Sequence, residues 1–162
     1  MVIPQRRYLP RNASLPTPYR DKNSVQFKAN GHVEGFPLHL AFNHSFESLA
    51  DSNLSVLEDV ESVSASLRLE WPGYLGWRHH FDTKNWKTDR GPFMRRKLAH
   101  KLATMIHTFF QECKVDEQSS AEDVIWRLGG GPNEIKFEDV LLVALHNVSA
   151  GSWQPELRLL RH

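Results

Sequence analysis

One segment constrains this chain more than any other. Met94, Leu98, Leu102, Met105, Ile106, Phe109, Phe110 and Cys113 recur at spacings of three and four residues, which puts them in one apolar stripe along a helix over about residues 93–113. Thr88 or Asp89 near the cap and Pro92 in the first turn mark its start. A stripe this long needs an apolar surface to cover it, and the rest of the chain supplies strands rather than a second long helix.

The clearest strand has Val63, Ala65, Leu67, Leu69 and Trp71 alternating with Ser62, Ser64, Ser66, Arg68 and Glu70, and stops at Pro72-Gly73. A short strand is expected over Trp77–Asp82. Phe36, Leu38, Leu40 and Phe42 alternate in the same way, and Pro37 argues for an edge position. Residues 45–61 are acidic, Ser-rich and weakly periodic, which reads as a loop with a short helix. Val140–Val148 is a nearly continuous apolar run, as a central strand covered on both faces would be. Ile135 and Phe137 predict a short strand before it, and Gly151-Ser152 turns the chain into a last strand near Glu156–Leu160. A shorter helix over about 120–128 has Ser119-x-x-Glu122 and Ser120-x-x-Asp123 as candidate capping boxes and ends at Gly129-Gly130-Gly131-Pro132. The predicted architecture is a two-layer α+β fold: a mainly antiparallel sheet of four to six strands, with both helices on one face.

The first 22 residues have no such periodicity. Pro4, Pro10, Pro16 and Pro18 alternate with Arg6, Arg7, Arg11 and Arg20, so residues 1–22 are expected to be a flexible basic arm, with a single α+β domain over 23–162. Cys113 is the one cysteine, which excludes an intrachain disulfide framework and favours a reducing, intracellular compartment, cytoplasmic or nuclear. No signal-peptide pattern or bilayer-length apolar run is present. For that reason the sequons at Asn12, Asn43, Asn53 and Asn147 are not read as glycosylated.

The net charge of +1 conceals segregation. Residues 1–33 sum to +5, 34–67 to −6, 68–115 to +6 and 116–139 to −5, so the fold can set basic segments against acidic ones or leave a basic face open. Arg95, Arg96, Lys97, His100 and Lys101 crowd the first turns of the long helix, with Lys84, Lys87 and Arg90 just upstream. Cations there oppose the helix dipole, so they are either neutralised by the acidic blocks or used to hold an anion alongside free helical N–H groups. Trp71, Tyr74 and Trp77 concentrate rings in a glycine-flanked turn, which either lids the core or anchors a partner. His79, His80 and Asp82, with His32, His39 and His44 upstream, raise a metal site. Neighbours on a strand point to opposite faces, however, so His79 and His80 do not readily share an ion. Cys113 lies on the apolar stripe, as a core residue would. Gly129–Gly131 follows a helix rather than opening one, unlike a phosphate loop.

Trp71-Pro72-Gly73-Tyr74, Gly91-Pro92 leading into Leu98-Ala99-His100, and Leu142-Val143-Ala144-Leu145-His146-Asn147-Val148-Ser149-Ala150-Gly151-Ser152-Trp153-Gln154-Pro155 together resemble a group of short uncharacterised proteins of mushroom-forming (basidiomycete) fungi. The similarity spans residues 65–157. It implies a eukaryotic, intracellular origin and transfers no activity and no site residues.

The functional expectation from the residues is a non-catalytic interaction domain without a cofactor. It would bind an acidic or peptide-like protein partner on one patch bordered by Trp71, Tyr74 and Trp77 and by Arg90, Arg95, Arg96, Lys97 and Lys101. The alternatives are nucleic-acid binding through the same residues and a metal-dependent enzyme using His79, His80 and Asp82. A homo-oligomer formed through the Pro37 strand edge is also left open.

Overall fold

The computed structural model describes residues 1–11, 23–84 and 93–160. In chain order the elements are β1 (Val25–Gln26), β2 (Lys28–Ala29), β3 (Val33–Glu34), β4 (Phe36–Pro37), helix α1 (Leu38–Phe42), β5 (Ser55–Val56), β6 (Ser64–Leu69), β7 (Trp77–Asp82), β8 (Phe93–Met94), helix α2 (Arg95–Glu112), 3-10 helices at Ala121–Trp126 and Phe137–Asp139, β9 (Val140–Ser149) and β10 (Ser152–Leu159). Six strands form the main sheet in the order β1-β9-β10-β6-β7, with β4 also on β9. All its pairings are antiparallel except β10 with β6, which meet in parallel at Ser152↔Ser66 and Trp153↔Leu67. The fold is therefore the mixed α+β arrangement expected, with β9 central.

The long helix carries the second layer. Leu98, Ala99, Leu102, Ala103, Met105, Ile106 and Phe109 are buried along it and face Leu67, Leu69, Leu142, Leu145, Trp153 and Leu157 of the sheet in one core. Each large aliphatic or aromatic side chain buried this way contributes about 1.5–3 kcal/mol relative to exposure. The helix starts at Arg95, after Met94 and without a side-chain cap; Thr88, Asp89, Arg90 and Pro92 lie outside the described residues. Instead, Phe93–Met94 pair with Ser55–Val56, and the first two helical N–H groups, of Arg95 and Arg96, donate to Leu54 O (2.8 Å) and Ser52 O (2.9 Å).

Four local expectations are corrected. Residues 38–42 form helix α1, not a strand: Leu38 and Ala41 are fully buried and Phe42 partly so, the i, i+3, i+4 spacing of a helix, which over five residues shares its end positions with strand alternation. Pro37 sits before the first helical residue, where its missing N–H costs nothing. Ile135 makes only a single bridge to Leu128, and Phe137 opens a 3-10 turn. The second helix is a single 3-10 stretch, Ala121–Trp126, and of the two candidate capping boxes the one formed is Ser120/Asp123.

The last strand begins at Ser152, earlier than expected, because Pro155 lies where the sheet changes neighbour. β6 leaves β10 after Trp153, and the N-terminal residues fill the space beyond it. Ile3 N–H donates to Leu157 O and Leu159 N–H to Met1 O, while Gln5 Nε2 donates to Pro155 O (2.6 Å). Gln154 Nε2 donates to Arg6 O and its Oε1 accepts from Tyr8 N–H, and the Arg68 guanidinium lies 4.1 Å over the Tyr8 ring. The start of the expected flexible arm is thus tied to the sheet; its remainder, 12–22, lies outside the described residues. Asn147 is buried, and its side chain donates to Ser149 O and Ser152 O, so that sequon sits inside the fold.

Candidate functional site

The two features expected to share a patch occupy opposite ends of α2. Trp71 is 1% exposed. Its indole N–H donates to Trp126 O at 2.8 Å, and its ring packs on Phe109 and Phe110. The hydroxyl of Tyr74 accepts the Leu128 N–H at 2.8 Å, and burial pushes that hydroxyl's pKa above its ordinary value. Trp77 packs edge-on against Phe109 and donates from Nε1 to Glu112 Oε1 at 2.6 Å. Leu75 N–H to Lys114 O and Asp116 N–H to Gly73 O then fasten the turn to the segment that follows the helix. This turn is a lid on the core. Its place is near Phe109, fourteen residues from Arg95, or about 21 Å along the helix axis at 1.5 Å per residue.

The basic start of α2 instead meets the chain that leaves α1. His44, Phe46, Arg96, Lys97 and His100 line a cleft of about 420 Å³. The chain enters it because α1 stops abruptly: Ser45 N–H donates to Leu40 O and His44 N–H to Ala41 O, the paired bonds of a Schellman ending. The left-handed position of that motif belongs to His44, with φ 57°, where glycine is the usual residue. This reversal lays the His44 ring on His100, centroids 3.7 Å apart and nearly parallel, with Phe46 edge-on to His44. The Nδ1 of His100 is 3.0 Å from Ala41 O, so it serves as the donor and Nε2 is left as the ring's other polar atom. Lys97 and Lys101 hold their ammonium groups 5.3 and 5.2 Å over the buried Phe93 ring.

Three cations of this end have no carboxylate in contact among the described residues. Arg95 uses Nε and Nη1 on the carbonyls of Gln26 and Asp51. Among the described residues no carboxylate lies within ion-pair distance of Arg95, Arg96 or Lys101; the ion pairs found there join Glu156 and Glu34 to His146 and Arg158. The acidic blocks therefore do not neutralise these three cations by contact. The first two helical N–H donors, of Arg95 and Arg96, are already committed to Leu54 O and Ser52 O, so side chains supply the main free donors here for an anion.

Of the sequence-derived candidates, Arg96 and Lys97 line the cleft, Arg95 and Lys101 flank it, and Arg90 lies outside the described residues. His44 and Phe46 were not expected beside them. The signal was faint: a helix stop at Asn43-His44, hidden by reading residues 36–42 as a strand. His79, His80 and Asp82 are on the edge strand β7, where His80 faces Ser66 (Nδ1 to Oγ 3.1 Å) and His79 faces the Trp77 ring. The two imidazoles thus take opposite sides, and no group of three His, Cys, Asp or Glu suited to a metal forms among the described residues. Burial raises the Cys113 thiol's pKa, which disfavours the reactive thiolate. No helix among the described residues is long and apolar enough to cross a membrane. No family model, curated protein or solved structure matches the chain.

Proposed function

We propose that this protein is an interaction domain whose α1–α2 cleft captures an acidic segment of a partner protein. Arg96 and Lys97 pair with its carboxylates, His100 adds a polar contact, and the Phe46 ring receives an apolar side chain beside the acidic ones. The observation that carries this reading is the lack of a carboxylate partner for Arg95, Arg96 and Lys101 among the described residues, next to a cleft with an aromatic wall. Nucleic-acid binding is the less favoured use of the same cations, because the chain's net charge is only +1 and phosphate-backbone binding relies on a basic excess.

The test is fluorescence anisotropy with a labelled Glu- and Phe-containing peptide, and with a single-stranded oligonucleotide of equal charge. The peptide is expected to bind at low salt and to be released near 1 M salt, where the Debye length shrinks to about 3 Å. The double variant Arg96→Glu/Lys97→Glu is expected to lose that binding without a change in melting temperature. Equal peptide binding by wild type and variant, or tighter binding of the oligonucleotide, overturns the reading.

A further inference from the structure

The outer face of the sheet, turned away from α2, carries a second constellation. β1 and β9 are antiparallel with Val25 opposite Leu145, so the residue before Val25, Ser24, falls opposite His146 and on the same face. On the other side of β9, Glu156 of β10 lies opposite Ala144, diagonal to His146 on that face. The side chains close this geometry into a chain. Ser24 Oγ is 3.0 Å from His146 Nδ1, and His146 Nε2 is 3.1 Å from Glu156 Oε2. Arg158 steadies the carboxylate, at 3.6 Å from Glu156 Oε1 and 2.7 Å from Glu34.

We propose that Ser24, His146 and Glu156 form a nucleophile–base–carboxylate relay that takes the acyl group of a small uncharged ester. With Nε2–H donating to Glu156, Nδ1 carries the lone pair and accepts the serine proton; the two ring nitrogens are exchanged relative to the serine-protease triad, in which the serine faces Nε2, while the division into base and carboxylate partner is the same. Ser24 borders a cleft of about 210 Å³ that Val25 and Arg95 also line, and His146 and Glu156 border a separate one of about 240 Å³ with Gln5 and Gln154. The Arg95 guanidinium is anchored through Nε to Gln26 O, two residues from Ser24, and through Nη1 to Asp51 O. Glu58 and Asp59 share the wall of the Ser24 cleft, which disfavours an anionic substrate and sets the preference for an uncharged one.

In the reaction, Ser24 Oγ bonds to the acyl carbon as its proton passes to His146 Nδ1. The bond from that carbon to the alkoxy oxygen breaks, and the alcohol leaves with the proton from Nδ1. Water then attacks the acyl-serine, giving its proton to Nδ1, and the carboxylic acid departs as Ser24 regains its hydrogen. No oxidant, reductant or metal is involved.

The test uses the full-length protein and a fluorophosphonate probe, with the modified residue located by mass spectrometry. Label is expected on Ser24 ahead of every other serine and absent from that site in Ser24→Ala. His146→Ala is expected to slow labelling on the order of 10²-fold or more, the usual contribution of a general base. Glu156→Gln is expected to slow it by a smaller factor. Wild-type protein alone gives a second readout: a p-nitrophenyl acetate burst of one acyl group per chain, carried on Ser24, which needs no variant to fold. A hydrogen bond of purely structural use predicts the reverse: Ser24 labelled no faster than surface serines, no burst, or folded His146→Ala labelled at the wild-type rate. Any of these overturns the proposal.

Discussion

At the scale of single residues, His44 holds the α1–α2 cleft together. It occupies a left-handed backbone position that costs a side-chain-bearing residue about 1–2 kcal/mol, and it returns a ring stacked on His100. His44→Gly removes the strain and the stack at once. Its stability is therefore expected to stay within about 1 kcal/mol of wild type in a denaturant melt, while its affinity for an acidic peptide falls. A large loss of stability with unchanged affinity would make His44 a packing residue only. At the far end of the helix, Phe109 is fully buried among the rings of Trp71, Tyr74, Trp77 and Phe110. Phe109→Ala is expected to cost about 3–5 kcal/mol, as aromatic deletions in packed cores do, without touching binding at the basic end.

At the scale of elements, legibility followed length. The stripe of α2, the alternation of β6 and the apolar run of β9 each extend over enough residues for one period to win, and all three stand where the sequence places them. The five residues of α1 are too few, since alternation and helical spacing share Leu38 and Phe42. With α1 misread, its reversal at His44 and the wall it gives the cleft were hidden as well. The aromatic turn was legible as a feature but not as a location, because nothing local in Trp71–Trp77 records that residues 113–116 return to cover it. Glu70, at the end of β6, supplies a prediction on this scale. Burial raises its pKa above the ordinary 4.5, against the opposing pull of Arg6 and Arg68. Protonation of this carboxyl therefore favours the folded state: the stabilisation is complete below the unfolded value and is lost as pH rises through the higher folded one. Glu70→Gln is expected to match wild type near pH 4 and to melt at a higher temperature than wild type at pH 7; a difference in melting temperature that does not change with pH would contradict this.

At the scale of the whole molecule, the sheet is completed by the first residues of the chain, which run beside the second half of β10 after β6 has left it. Composition alone gave Met1–Tyr8 no reason to be fixed, because the bonds that hold them are to backbone groups and to Gln154, about 150 positions away. Deleting residues 1–8 is expected to lower stability on the order of 3 kcal/mol or more, from the lost hydrogen bonds and the burial of Ile3; a free arm would leave the melt unchanged. The charge blocks were also legible, yet the folded chain leaves Arg95, Arg96 and Lys101 without contacting carboxylates among the described residues. Amide NMR during titration with an acidic peptide shows whether these cations are where a partner docks. Shifts are expected to concentrate at His44, Phe46, Arg96, Lys97 and His100, with Trp71–Trp77 unmoved. Shifts centred on the aromatic turn, or none at all at low salt, would contradict this.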